Sequence, residues 1–370
     1  RGLGDVYKRQ KFTPKPRTKG WPGWSVTVIR LPAVTDLVYN HSLKSPNSRV
    51  SLMRHFLEFE KPIAVLEGKI EELRHMSSDM NINITDEVGD LQRKLKREIK
   101  NAYSSLGPWD KVQIARHPDR PKTLSIVDQL FTEFTPLAGD RSYAEDHAVI
   151  GGLARFRGEP VMIMGTEKGR STDERIKRNF GMARPEGYRK ARRLMEMAGR
   201  FGLPVISFVD TAGAYPGMGA EERGQAEAIA RSIEACLNLP SPMVAAIIGE
   251  GGSGGAIALA TGNKVVMYEH AVYSVISPEG CASILWRSAD HAKVAAEALR
   301  LTAQDMATLG VVDAVVPEPL GAAHREPHEA IESLGDTIAD QLKSMSGLSA
   351  AELIQQRQDK YLAIGDKGLA

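Results

Sequence analysis

Five glycines fall within seven residues at Gly249-Glu-Gly-Gly-Ser-Gly-Gly255, between an apolar run at 243–248 and a small, apolar run at 256–260. This order reads as strand, tight turn and helix start. Backbone N–H groups at a helix N-terminus, with no side chains in front of them, hold anions or negative charge that develops during a reaction. Glycine costs chain entropy on folding, so this density implies a close approach to the backbone. Gly249, Gly251 and Gly254 fit the dinucleotide fingerprint G-x-G-x-x-G after a strand, with Glu269 in the place of the ribose-binding acid. A P-loop fails, because Gly255-Ala256 stands where Lys-Ser/Thr is needed. An oxyanion hole needs only the amides, and a glycine-lined packing crossover needs no ligand.

Other residues near this loop have types suited to chemistry. Glu250 and Glu279 each adjoin a glycine site and are the acids placed to assist proton transfer. Lys168, Arg170, Arg175, Lys177 and Arg178 make a basic run that reads as a solvated loop or as an anion contact. Glu221 and Glu222 follow the turn Tyr215-Pro-Gly217, where acids at a helix start complement its dipole. The glycine loop holds no His and no Cys.

These residues need a scaffold. Apolar positions repeat at helical spacing at Ile63, Leu66, Ile70 and Leu73, and again at Val88, Leu91, Leu95 and Ile99. The two helices read as a packed hairpin or as a docking arm, and 106–146 reads as a connector. From 147 to 319 a unit of strand, turn and helix repeats. Strands are expected at 149–156, 161–165, 205–210, 243–249, 264–268 and 273–276, and helices at 187–201, 220–236 and 254–261. The pattern alone gives an α/β protein with repeated crossovers. The tail from 327 reads as one or two helices ending near Tyr361.

Composition bounds the class. At 42% hydrophobic and 25% charged residues the chain is ordinary for a soluble globular protein. Cys236 and Cys281 form no C-x-x-C, so no disulfide framework, zinc ribbon or other metal site is expected. No apolar run approaches the roughly 18 residues that span a membrane. Residues 1–50 carry a net charge of +8 and the whole chain +2, which leaves −6 for the rest. Residues 1–52 read as a non-native or disordered leader, with Met53 as the natural start; a plastid transit segment is the alternative. The further divisions expected are 53–145, helical and connecting; 146–320, the catalytic core; and 321–370, a helical tail.

Two long blocks flank the loop: residues 205–217, ending Asp210-Thr-Ala-Gly-Ala-Tyr-Pro-Gly217, and residues 273–286, beginning Tyr273-Ser-Val-Ile-Ser-Pro-Glu-Gly280. With Leu137-Ala-Gly-Asp-Arg141, Asn179-Phe-Gly-Met182, Pro185-Glu-Gly-Tyr-Arg-Lys190 and the stretch 317–325, they closely resemble the alpha subunits of bacterial acetyl-CoA carboxylase carboxyltransferases. The resemblance runs from about Arg54 to near Tyr361, and departs where the family has Pro and this chain has Ala212.

The resemblance implies a crotonase-like spiral of ββα units with an N-terminal helical extension and C-terminal helices. It implies transfer of a carboxyl group from carboxybiotin, on a separate carrier protein, to acetyl-CoA. The product is malonyl-CoA, in the first committed step of fatty acid biosynthesis. Biotin itself then serves as the base, and no metal is needed on this chain. Gly254 and Gly255 become the expected oxyanion donors, supported by Gly251 and Gly252. Gly213 with Tyr215 and Gly217 forms the opposite wall, and Ser277, Glu279 and Gly280 open a helix with exposed amides. Lys168 and Arg170 would meet CoA phosphates or the carrier surface. A side chain added at 254 or 255 is expected to block transfer while leaving the fold largely intact.

The implied partners are a carboxyltransferase beta subunit in an α2β2 heterotetramer, a biotin carboxyl carrier protein and biotin carboxylase, with no nucleic acid and no membrane. ATP and nucleotide binding are expected of the complex. The implied location is the cytoplasm, or a plastid if the leader is a transit peptide. The alternatives are another crotonase-like acyl-CoA enzyme, a hydratase or decarboxylase, and a non-catalytic scaffold subunit.

Overall fold

The computed structural model describes residues 55–80 and 85–365, all within one compact unit, Arg54–Ala370. The expected leader and Met53 lie outside the described residues. Two helices come first, α1 (Lys61–Met80) and α2 (Thr85–Ser104). The stripe Ile63, Leu66 and Ile70 of α1 is buried, and that of α2, from Val88 to Ile99, is half-buried. Charge ties this hairpin to the core. Glu60 accepts from the Tyr103 hydroxyl at 2.8 Å and from the Arg325 guanidinium at 3.3 Å, and Arg325 also pairs with Glu67.

The stretch 106–146 is more than a connector. It folds into α3 (Pro108–Ala115), α4 (Thr123–Leu130) and β1 (Phe131–Pro136). Each of these helices has only 8 residues, too few for a hydrophobic period to stand out. Pro108 opens α3 at the first turn, where a missing N–H costs nothing. β2 (Val149–Phe156) and β3 (Glu159–Thr166) form a hairpin. Its two loop residues, Arg157 and Gly158, have φ of 51° and 88°, as a type I′ turn requires. Then come α5 (Thr172–Lys177) and α6 (Pro185–Phe201), which Gly202 ends in the left-handed conformation.

β4 (Val205–Thr211) is buried along its whole length, as a parallel strand covered on both faces is. The helix expected at 220–236 is two pieces, α7 (Met218–Glu221) and α8 (Gln225–Leu237), because Gly224 between them has φ 79°. β5 (Met243–Gly252) runs on into the glycine cluster, and α9 (Ser253–Ala260) follows at once. β6 (Lys264–Tyr268), β7 (Val272–Ser274), α10 (Pro278–Trp286), α11 (Ala292–Ala298), α12 (Ala303–Thr308) and β8 (Ala314–Val316) complete the core, and α13 (Pro327–Ser344) and α14 (Ala350–Leu362) close the chain.

The strands form one eight-stranded sheet in the order β1-β2-β3-β4-β5-β6-β8, with β7 paired to β5 off that path. The first three pair antiparallel, the rest parallel. β5 is used twice: residues 244–247 pair with β6 and residues 250–252 with β7. After a register shift, Thr211 of β4 also pairs with Gly251. Thr211, Gly251 and Tyr273 therefore line up as a second short layer. Successive strands that bend into such a layer before each helix make the spiral of ββα units. One hydrophobic cluster runs from Ile126 to Leu353 and so crosses the divisions expected near 145 and 320.

Candidate active site

The glycine loop sits where β5 meets α9. Ser253, the first residue of the helix, has φ 51°, a left-handed conformation that is strained for a side-chain-bearing residue. The first amides of a helix have no acceptor within it, so this turn delivers N–H groups at a fixed point. Packing sorts the glycines. A Cβ on Gly255 would lie 2.6 Å from the backbone of Gly213 and Ala214, and one on Gly251 2.6 Å from the Tyr273 ring. A Cβ on Gly252 would strike the Ala212 carbonyl, and one on Gly249 the Asp210 carboxylate. At Gly254 a Cβ would meet only Ile229, at 3.6 Å. The crossover reading thus accounts for four of these glycines, and only Gly254 needs another reason. Valine at 255 cannot be the mild change that was expected, since it would displace the facing turn.

That facing turn is the expected opposite wall. Thr211 Oγ1 donates to Gly213 O at 2.8 Å and accepts from Gly213 N at 3.1 Å. Gln225 Nε2 holds Tyr215 O at 2.9 Å, and the Arg184 guanidinium lies 4.8 Å from the Tyr215 ring centre. A Cβ on Gly217 would run into the Tyr215 ring. Tyr188, from α6, is fully buried beside Gly255, and its hydroxyl has no hydrogen-bond partner. At the start of α10, Ser277 Oγ accepts from Gly280 N at 3.1 Å, so this amide is capped rather than open.

Charged groups brace the loop from below. Lys168 Nζ lies 2.8 Å from both Asp210 Oδ1 and Glu250 Oε2. Asp210 Oδ1 also accepts from Glu250 N at 2.9 Å. Arg116 joins Glu250 Oε1 and Glu279 Oε1, each at 2.6 Å. One guanidinium therefore links the glycine loop to the start of α10. Burial works to raise the Glu250 carboxyl, but Lys168 and Arg116 overcome it and hold it at about 2. Glu279 is likewise lowered, with Arg116 outweighing burial. Both acids are ion-paired anions, not proton donors. Lys168 is one of the braces rather than a surface cation. Arg170 is exposed and donates to Ser125 Oγ at 3.1 Å and Asp128 Oδ2 at 3.2 Å. Sequence reasoning missed Arg116, which follows α3 in the supposed connector and carries no motif.

Glu60, His117 and His324 also converge, their ligand-type atoms within 4.8 Å of one another. No cluster of this kind was expected from spacing. His117 is already engaged at both nitrogens, Nε2 with His55 O at 2.8 Å and Nδ1 accepting from Asp119 N at 3.2 Å. Glu60 is bound by Tyr103 and Arg325. His324 Nδ1, by contrast, is buried without a hydrogen-bond partner. Among the described residues no helix is long and apolar enough to cross a membrane.

A spiral of ββα units in which the parallel strand β5 ends at an amide-bearing glycine loop defines a crotonase-like protein. Residues 56–365 match the family described as acetyl co-enzyme A carboxylase carboxyltransferase-like. The chain belongs to that family. It is 62% identical to the acetyl-coenzyme A carboxylase carboxyl transferase subunit alpha of Paramagnetospirillum magneticum, over 85% of this chain and 100% of that protein. The protein of the same name from Ruegeria pomeroyi is 60% identical, over 86% of this chain and all of its own length. Among solved structures, the geranyl-CoA carboxylase beta subunit of P. aeruginosa aligns with a TM-score of 0.49 and 16% identity, over 67% of this chain and 46% of its own.

Proposed function

We propose that this chain is the alpha subunit of a carboxyltransferase that makes malonyl-CoA from acetyl-CoA. Carboxybiotin, on a separate carrier protein, supplies the carboxyl group and the base. The chain supplies fixed dipoles. As carboxybiotin loses its carboxyl group, negative charge grows on the ureido oxygen, and the amides of Gly254 and Gly255 at the start of α9 are the donors to meet it. Arg116, Lys168 and Asp210 hold the loop so that no reorganisation is needed at that moment. The observation that carries this reading is Gly254. Its Cβ position is sterically open toward this chain, so the glycine is best explained by something that must approach its amide.

The enolate oxygen of acetyl-CoA needs a second donor set, which we assign to a beta subunit, with an α2β2 assembly. An exposed apolar surface beside the loop supports this: Val275, Ile284, Leu285, Trp286 and Val294 lie on or next to α10 and α11. The biotin carboxyl carrier protein and biotin carboxylase complete the complex, which is where ATP is used, and the cytoplasm is the proposed location. A hydratase reading needs a protonatable glutamate pair, and Glu250 and Glu279 are committed to Arg116.

The test is reconstitution. The purified chain is mixed with a beta chain, and carboxyl transfer from carboxybiotin to acetyl-CoA is followed. We expect no turnover alone and robust turnover with the partner. Turnover by the isolated chain would refute the two-chain site, and an assembled but inactive complex would favour a scaffold.

A further inference from the structure

Below the glycine loop lies a cavity of about 240 Å³, lined by Arg116, Arg120, Lys122, Lys168 and Arg175, by Asp210 and Glu250, and by Phe180 and Met182. Most of its charges are matched. Asp210 and Glu250 share Lys168, Arg116 is closed by Glu250 and Glu279, and Arg120 is closed by Glu318. Two cations are not. Lys122 is buried, and its ammonium has only carbonyl partners, Pro118 O at 2.6 Å and Arg120 O at 3.4 Å. Arg175 has no side-chain hydrogen bond or ion pair among the described residues. Both line the cavity with Lys168, and burial, with Arg175 and Lys168 adding like charge, lowers the Lys122 pKa against the pull of Asp210 and Glu167. Lys122 is buried and Arg175 half-buried, and neither has a carboxylate in hydrogen-bond contact, so an anion between them would supply the missing partner.

The rim is a second, independent observation. Asn179, Phe180 and Gly181 have φ of 46°, 55° and 78°, three left-handed residues in succession, two of them strained by their side chains. The turn is held by Arg184 Nη2 on Asn179 Oδ1 at 3.2 Å and by Gly181 packed on Lys168 and the Asp210 carbonyl. It keeps Phe180 51% exposed at the cavity wall.

We infer that this cavity binds a small oxyanion, a carboxylate or a phosphate group, between Lys122 and Arg175, with Phe180 and Met182 covering any apolar part. Its size suits a ligand of a few heavy atoms. Because it shares Glu250 with the glycine loop and Ala212 with the facing turn, an anion there would load the same braces.

The test uses the isolated full chain and no carboxyl transfer, so its outcome stands apart from that of the proposed function. Sodium phosphate and sodium butyrate are titrated separately by calorimetry, at ionic strength fixed with sodium chloride. We expect saturable binding near one equivalent, weakened at least tenfold in Arg175→Gln. That variant loses no partner and should melt as the wild type does. Phe180→Ala separates the two sources. Weakening of butyrate alone identifies an organic carboxylate as the natural class, and tighter phosphate binding unaffected by Phe180→Ala identifies phosphate. Heats no larger than those of chloride, or equal affinity in Arg175→Gln, would overturn the inference.

Discussion

Gly254 and Gly255 are neighbours, yet their constraints differ. At 254 a side chain has room; at 255 it meets the backbone of Gly213 and Ala214 at 2.6 Å. Gly254→Val should fold and assemble, while transfer falls by about 10²–10³, the cost of losing one oxyanion donor. Gly255→Val should lower the melting temperature of the isolated chain before any assay is run. Equal melting of the two variants, with near wild-type transfer by Gly254→Val, would make the loop purely structural. Arg116 carries a different prediction, because two carboxylates depend on it. Arg116→Gln should cost roughly 1.5–3 kcal/mol, the worth of a hydrogen bond to a charged group. Glu250 titrates at about 2, below its ordinary 4.5, so its contribution is complete above about pH 4.5 and is lost as pH falls toward 2. The gap between wild type and variant should therefore be widest near pH 7 and close in acid, as measured by denaturant unfolding at several pH values.

Helices and strands place these groups by different means. The β5–α9 junction is local: an apolar strand, glycines and a helix start adjoin in the chain. The N-terminal hairpin is held by distant groups, Tyr103 and Arg325 on Glu60, and by the ring of His117 on the carbonyl of His55. Burial, followed by repulsion from the stacked His324, pushes His117 down to about 4, although the His55 carbonyl and the charges of Asp119 and Glu60 oppose this. A depressed histidine contributes stability above its ordinary value of 6.5 that is lost as pH falls through about 4. Amide exchange at residues 61–80 and 85–104 should therefore quicken, relative to the sheet, between pH 6.5 and 4. His117→Asn should flatten that dependence, and an unchanged profile would exclude His117 as its source.

For the molecule as a whole, the apolar surface near α10 is one that the fold leaves uncovered among the described residues. Leu285 is 63% exposed there, so replacing it costs the isolated chain little. Leu285→Asp should leave the melting temperature unchanged and weaken association with a beta chain by about thirtyfold, as loss of a hot spot worth about 2 kcal/mol would. Sedimentation of the mixed chains measures this directly, and unchanged association would move the interface elsewhere. Arg357 of α14 is fully buried and donates to Leu239 O at 2.9 Å and Ser241 O at 3.1 Å. This fastens the chain's last described helix to the end of α8 and the segment leading into β5, the strand that carries the loop.

The sequence alone determined the strand–glycine–helix junction, the α/β class with its helical ends, and the family, because these rest on short-range order: apolar spacing, turn residues and contiguous motifs. It could not separate Gly254 from Gly255, since the difference lies in what a Cβ would meet across the fold. Nor could it show that Lys168 is a brace, or find Arg116 at all. Arg116 reaches its carboxylates over 134 and 163 residues of chain. Ion pairing depends on distance in space and on burial, and only the folded sheet brings the residue after α3, the end of β5 and the start of α10 to one point.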